Sequence, residues 1–233
     1  MRKFYIDGVA SSTYGIFCSG TGVFNAPERD IQRIEIPGRN GELTIDNGRY
    51  RNITVSYPAI FVAGFQSNIE NARAWLCKAA GYRKLTDDWN TTTYRMARYT
   101  GGLDLDVATM LDAARATLQF DCMPQRFLNS GDTAVAVTNG GTITNPTQFD
   151  AEPLITVNGS GNGTLTVGST VLTISSISVS VNLDCATKRA YKGTTALDSN
   201  VSGTYPVLVS GSNTVSWTGG ITGVSIKPRW WTL

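Results

Sequence analysis

Apolar and polar residues alternate with a period of two over much of this chain. That is the period of a strand whose two faces meet different surroundings. In the first half, Phe4-Tyr5-Ile6 and Ile16-Phe17-Cys18 are short apolar runs bounded by glycine and serine. Ile53, Val55 and Tyr57 alternate with Asn52, Thr54 and Ser56 within a run from Tyr50 to Phe61. Tyr82–Asp88 pairs with Tyr94–Thr100 across a loop at residues 88–92. Ala114, Ala116, Leu118, Phe120 and Cys122 alternate with Arg115, Thr117, Gln119 and Asp121, the mark of a half-buried strand.

Between these runs the pattern breaks in two places. Ile31, Ile34 and Ile36 sit in a charged stretch, followed by two Asn-Gly pairs, Asn40-Gly41 and Asn47-Gly48. Asn-Gly tolerates the positive φ that tight hairpins require. The segment between them, Glu42-Leu43-Thr44-Ile45, is short and half polar, so it predicts a protruding β-arm with little core of its own. The second break is helical. Ile69, Ala72, Leu76 and Ala79 recur at helical spacing with Trp75 beside them. Ser67 with Glu70 three residues later reads as a capping box, and Gly81 as the C-terminal cap. A second, short helix is expected over Asp106–Asp112.

After Pro124-Gln125-Arg126-Phe127 the composition shifts. Asn129-Ser130-Gly131 reads as a linker, and the remainder is all β. Strands are predicted at Ala134–Val137, Leu154–Val157, Thr164–Val167, Val171–Ile174, Ser178–Leu183, Lys188–Lys192, Asn213–Trp217 and Gly223–Pro228. Spacing of about ten residues between strands suggests an antiparallel sandwich. Two domains are expected, 1–127 and 128–233.

Composition narrows the chemistry. Apolar residues make up 41% and charged ones only 16%, below the ~25% of ordinary soluble domains. Together with 24 glycines, this fits strands joined by tight turns. A net charge of +2 is too weak for a phosphate-binding surface. Histidine is absent, which removes the commonest general acid–base group and metal ligand. Cys18, Cys77, Cys122 and Cys185 form no CxxC pair, so no zinc site is expected and the thiols read as free. No cofactor is implied. The N-terminal residues lack the apolar core of a signal peptide, and no run approaches the ~18 apolar residues of a membrane span. Synthesis in a cytoplasm, without membrane insertion, is expected.

Two acidic pairs, Asp87/Asp88 and Asp104/Asp106, are the only temptation toward hydrolysis. The first flanks a loop, and the second precedes the expected helix as caps would. The glycine-rich run Asn158–Gly163 lacks phosphate-loop spacing and reads as a flexible strand connection. Arg29, Arg33, Arg39, Arg49 and Arg51 cluster around the arm, either as a solvated surface or as a partner contact. Trp230 and Trp231 read as one core residue and one interface residue.

The run Ile36-Pro37-Gly38-Arg39-Asn40-Gly41-Glu42-Leu43-Thr44-Ile45-Asp46-Asn47-Gly48-Arg49-Tyr50 resembles the signature hairpin of bacteriophage distal tail (Dit) proteins. Phe120-Asp121-Cys122-Met123-Pro124-Gln125-Arg126-Phe127 is similar to the stretch that closes that family's first domain. Asn145-Pro146-Thr147, Glu152-Pro153-Leu154-Ile155, Ala190-Tyr191-Lys192-Gly193, Gly211–Gly219 and Pro228–Leu233 resemble its second.

The resemblance implies a mainly β fold with one packed helix. It pairs an N-terminal belt domain, carrying the β-arm and the helix, with a C-terminal galectin-like antiparallel β-sandwich. It implies a structural virion component of the phage tail, not an enzyme. Six copies would form a ring between tail tube and baseplate or tail tip, with a channel through which DNA passes. Implied partners are the tail tube protein, tail-tip or receptor-binding proteins and the tape measure protein. Candidate ring-interface residues are Arg39, Asn40, Glu42, Leu43, Ile45, Asn47 and Arg49. Two rival readings are a carbohydrate-binding host-adsorption protein, with Trp217 as its best aromatic candidate, and a tail-associated hydrolase. Without histidine, the sandwich is not expected to hold sugar as galectins do.

Overall fold

The computed structural model describes residues 2–20, 23–62, 64–78, 80–108 and 113–233. The chain divides into two compact units, Met1–Arg126 with Leu233, and Phe127–Thr232. Each encloses a hydrophobic core of its own.

In the first unit the strands are β1 (Phe4–Ile6), β2 (Val9–Ala10), β3 (Ile16–Cys18), β4 (Arg29–Glu35), β5 (Glu42–Tyr50), β6 (Ile53–Phe61), β7 (Arg83–Asp87), β8 (Thr93–Tyr99), β9 (Asp106–Ala108) and β10 (Ala113–Leu128). One sheet runs β2-β1-β7-β8-β10-β6-β3. It curls until its ends meet, because Arg2, just before β1, bridges Cys18 at the end of β3. The curl is filled with aromatic rings. Phe4 stacks on Tyr57 at 5.2 Å and meets Phe120 edge-on at 5.4 Å. The alternation in β6 and β10 is what points Val55, Tyr57, Leu118, Phe120 and Cys122 inward.

Helix α1 (Phe65–Cys77) packs Ala72, Trp75 and Leu76 onto this core, with Trp75 stacked on Tyr14 at 4.8 Å. Its start differs from the capping-box reading. Gly64 adopts a left-handed conformation (φ 68°) and turns the chain out of β6, so the helix begins at Phe65 and Ser67 falls inside it. The helix ends at Lys78, whose N–H donates to the Ala74 carbonyl, and Gly81 lies beyond it. Ala79 lies outside the described residues. The short helix expected at 106–112 is corrected too. Residues 106–108 form β9, paired with β10 through Ala113, Ala114 and Arg115, and 109–112 lie outside the described residues.

The second unit holds β11 (Val135–Val137), β12 (Gly141–Asn145), β13 (Leu154–Val167), β14 (Thr170–Asp184), β15 (Arg189–Lys192), β16 (Thr195–Ala196), β17 (Val201–Gly203), β18 (Gly211–Lys227) and β19 (Trp231–Thr232). Six short strands of the sequence reading are three long ones. β13, β14 and β18 each pass through a bulge or kink and continue. Asn158–Gly163 is therefore no loose connection; it lies within β13. Gly159 and Gly163 are required by close approach, whereas Gly161 meets nothing within 4 Å and answers to its positive φ of 76°. A Cβ on Gly159 would sit 2.2 Å from the Gly220 carbonyl, and one on Gly220 1.7 Å from the Ser160 carbonyl. The expected linker at 129–131 is instead part of a 3-10 turn, Asn129–Asp132, with Gly131 buried against the Trp230 backbone.

Trp230 is a core residue. Trp231 is half-buried and stacks on Phe149 at 4.4 Å. Trp217 packs against the same core.

Candidate functional site

β4 and β5 pair only with each other among the described residues. The register sets Ile34 opposite Leu43, Gln32 opposite Ile45, Arg33 opposite Thr44 and Ile31 opposite Asp46. Because side chains alternate, one face of this ribbon carries Gln32, Ile34, Leu43 and Ile45. The other carries Ile31, Arg33, Glu35, Glu42, Thr44 and Asp46. Neither face belongs to a core. Leu43 and Ile45 are each 44% exposed, and Ile36 at the tip is 38% exposed. A two-stranded ribbon of this kind has too little apolar contact to be stable alone.

The ribbon's second Asn-Gly does not turn the chain. Residues 36–41 form the tip, with Gly38 and Gly41 at φ 79° and 85°. Asn47-Gly48 instead makes a bulge within β5, where the register slips between Ile31–Asp46 and Arg29–Tyr50. Gly48 sits at φ 73°, and its N–H donates to Asp46 Oδ1 at 2.8 Å. The arm is thus longer than the sequence reading placed it, reaching from Arg29 to Tyr50.

Charges along the ribbon cancel. Arg29, Arg33, Arg39, Arg49 and Arg51 are matched by Glu28, Asp30, Glu35, Glu42 and Asp46. Arg29 bridges Asp46 at 2.8 Å and Arg33 lies 3.7 Å from Glu42. At the root, Arg49 and Arg51 bridge the buried Asp30 at 2.7 and 2.9 Å. These guanidiniums hold the Asp30 carboxyl below the usual carboxylate range, Arg49 contributing most. Asp46 is lowered first by the Gly48 N–H and then by Arg29. The arginine cluster is therefore largely a set of internal ion pairs.

Of the sequence-derived candidates, Leu43 and Ile45 come together on the apolar face, Arg39 and Asn40 lie in the tip, and Glu42 opens β5. Asn47 lies in the bulge and Arg49 at the root. Ile34, which completes the apolar face, and Asp30, which ties the root, were missed. The signal for Ile34 was present: a hairpin drawn about residues 36–41 puts it opposite Leu43.

The sequence reading also missed that two arginines are buried, Arg95 and Arg126, the latter within the Phe120–Phe127 stretch. Arg95 donates to the carbonyls of Asn25 and Pro124, and Arg126 to those of Val23 and Asn90 Oδ1. Burial pushes Arg95 down to about 10. Both guanidiniums fix residues 23–25, the segment that feeds β4.

The first acidic pair, Asp87/Asp88, does structural work, and the second caps no helix, since residues 106–108 are β9. Asp87 accepts from Tyr57 Oη at 2.8 Å and from the N–H groups of Trp89 and Asn90. Asp88 accepts from the Lys3 N–H and Tyr5 Oη, both at 3.0 Å. Asp104 and Asp106 line an open groove of about 710 Å³ with Phe17, Pro58, Ile60 and Arg115. Burial pushes the Cys122 and Cys185 thiols up to about 12, against reactivity. Among the described residues no cluster of three or more metal-ligating side chains occurs, and no helix is long and apolar enough to cross a membrane.

No family model matches the chain, and no curated protein matches it. Solved structures do match its fold. Over 100% of both chains it matches the SPP1 Dit protein, described as a paradigm of the hub adsorption apparatus in phages infecting Gram-positive bacteria, with a TM-score of 0.74 and 14% identity. Chains of the phage p2 baseplate in its activated conformation match over 97% of each chain at 9% identity, with TM-scores of 0.54 for the strontium form and 0.52 for the calcium form. At these identities the likeness is one of fold.

Proposed function

We propose that this protein is a structural hub of a phage tail. Copies join through the arm into a homo-hexameric ring between the tail tube and the tip or baseplate, leaving a channel for DNA. One observation carries the reading: an exposed ribbon whose apolar face, Ile34, Leu43 and Ile45, belongs to neither core among the described residues. Such a face gains most when a neighbour covers it, and a head-to-tail contact repeated with rotation closes a ring. The shared fold with the SPP1 Dit protein and the p2 baseplate chains supports the tail location. In this reading residues 1–127 build the ring and 128–233 form its outer sandwich. The tail tube, tape measure and receptor-binding proteins are its partners, and no catalysis is required.

The test is direct. Light scattering and negative-stain images of the purified protein are expected to show a six-fold ring. Deleting residues 38–48 is expected to leave a folded, soluble protein that forms none. Rings that survive the deletion, or a full-length chain monomeric at high concentration, would overturn the reading. A sugar-binding alternative draws no support from Trp217, whose ring is packed against the core.

A further inference from the structure

The arm contains two copies of one reactive dipeptide in two different states. In an Asn-Gly pair the glycine nitrogen can attack the asparagine side-chain carbonyl carbon. A C–N bond forms, and ammonia leaves carrying the side-chain nitrogen and the displaced amide proton. The resulting succinimide is opened by water at either carbonyl, giving aspartate or isoaspartate. The attack needs a glycine N–H that is free and a backbone able to bring it round.

At Asn47 neither condition holds. The Gly48 N–H is bound to Asp46 Oδ1 at 2.8 Å, and the pair lies inside β5. At Asn40 both hold. Among the described residues, neither the Gly41 N–H nor the Asn40 side chain has a hydrogen-bond partner. A side chain at Gly41 would meet nothing within 4 Å. The pair sits in the exposed tip, outside either strand.

We infer that Asn40 is a site of spontaneous deamidation and that Asp46 guards Asn47 against the same reaction. The reaction takes only water, and it concerns the tip as the single chain exposes it; a ring that covers the tip would slow it, so the rate is read on dissociated subunits. Its product adds a negative charge to a ribbon whose charges otherwise cancel, and isoaspartate adds a methylene to the tip backbone.

The experiment uses the whole protein, aged in mildly alkaline buffer and then digested with trypsin. Cleavage after Arg39 and Arg49 puts both sites on one peptide, and fragment masses separate them. Conversion at Asn40 should outrun that at Asn47 by about tenfold or more, the factor a hydrogen bond to an ionised acceptor is worth. In urea the two should convert at similar rates. Asp46→Ala should release Asn47. Arg29→Gln, which removes the ion pair and leaves the Asp46–Gly48 bond, should not. Equal rates in the folded protein, or an inert Asn40 beside a reactive urea control, would overturn the assignment. An Asn47 that stays inert in Asp46→Ala, or reacts in Arg29→Gln, would remove Asp46 from the guarding role.

Discussion

Gly220 and Gly223 lie three residues apart on β18 and answer to different constraints. A methyl on Gly220 would run into the Ser160 carbonyl, whereas one on Gly223 meets nothing within 4 Å. Gly220→Ala should therefore cost about 1–3 kcal/mol of stability, and Gly223→Ala less than about 0.5 kcal/mol; urea unfolding curves of the two variants check this. The Asp184–Arg229 pair offers a second test at this scale. Arg229 grips both carboxylate oxygens, at 2.7 and 3.1 Å, and this hold keeps the Asp184 carboxyl below its usual range. A carboxylate lowered in the folded state stabilises above its unfolded value and loses that contribution as pH falls through the folded one. Asp184→Asn should thus lower the melting temperature at neutral pH, and the gap should narrow as pH drops below ~4. A gap that stays constant with pH would show that the pair contributes through packing alone.

At the scale of elements, the arm is where sequence and structure meet most usefully. Leu43→Glu with Ile45→Glu should leave the melting temperature nearly unchanged, since exposed positions shift stability by only about 0.5 kcal/mol, yet abolish association in light scattering. A large loss of stability instead would mean that the face is buried within one chain. The arm's existence and its apolar residues were legible because Asn-Gly is a strong local signal. Its extent was not, because the same dipeptide serves a turn at Asn40 and a bulge at Asn47; Asp46 decides between them through the Gly48 N–H. The long strands were misread for a related reason. In β14 the buried positions run Leu172 and Ile174, then Ile177, Val181 and Leu183. The phase of alternation slips at Ser176, which sits at φ 53°, so a period-two reading sees two strands. β18 slips likewise between Ile221 and Val224. Arg95 carries no sequence mark, and Arg126 is marked only as part of the Phe120–Phe127 stretch; the tertiary carbonyls reveal that both are buried anchors.

At the scale of the whole molecule, two cores imply two folding units. A core that lies within one stretch of chain is the physical condition for folding alone. Residues 127–232 expressed alone should therefore give a single cooperative thermal transition. A fragment that binds hydrophobic dye and melts without a transition would contradict this.

The internal ion pairs of the arm have a last consequence, for kinetics. Charged partners usually find each other by long-range attraction, and their association slows as salt shortens its reach. An arm whose five arginines are balanced in number by five carboxylates projects almost no such field. If it is the joining element, subunits meet by unsteered diffusion and are held by apolar contact. Stopped-flow association rates should then stay flat from low to high ionic strength, and assembly would be indifferent to the saltiness of the cell in which it occurs.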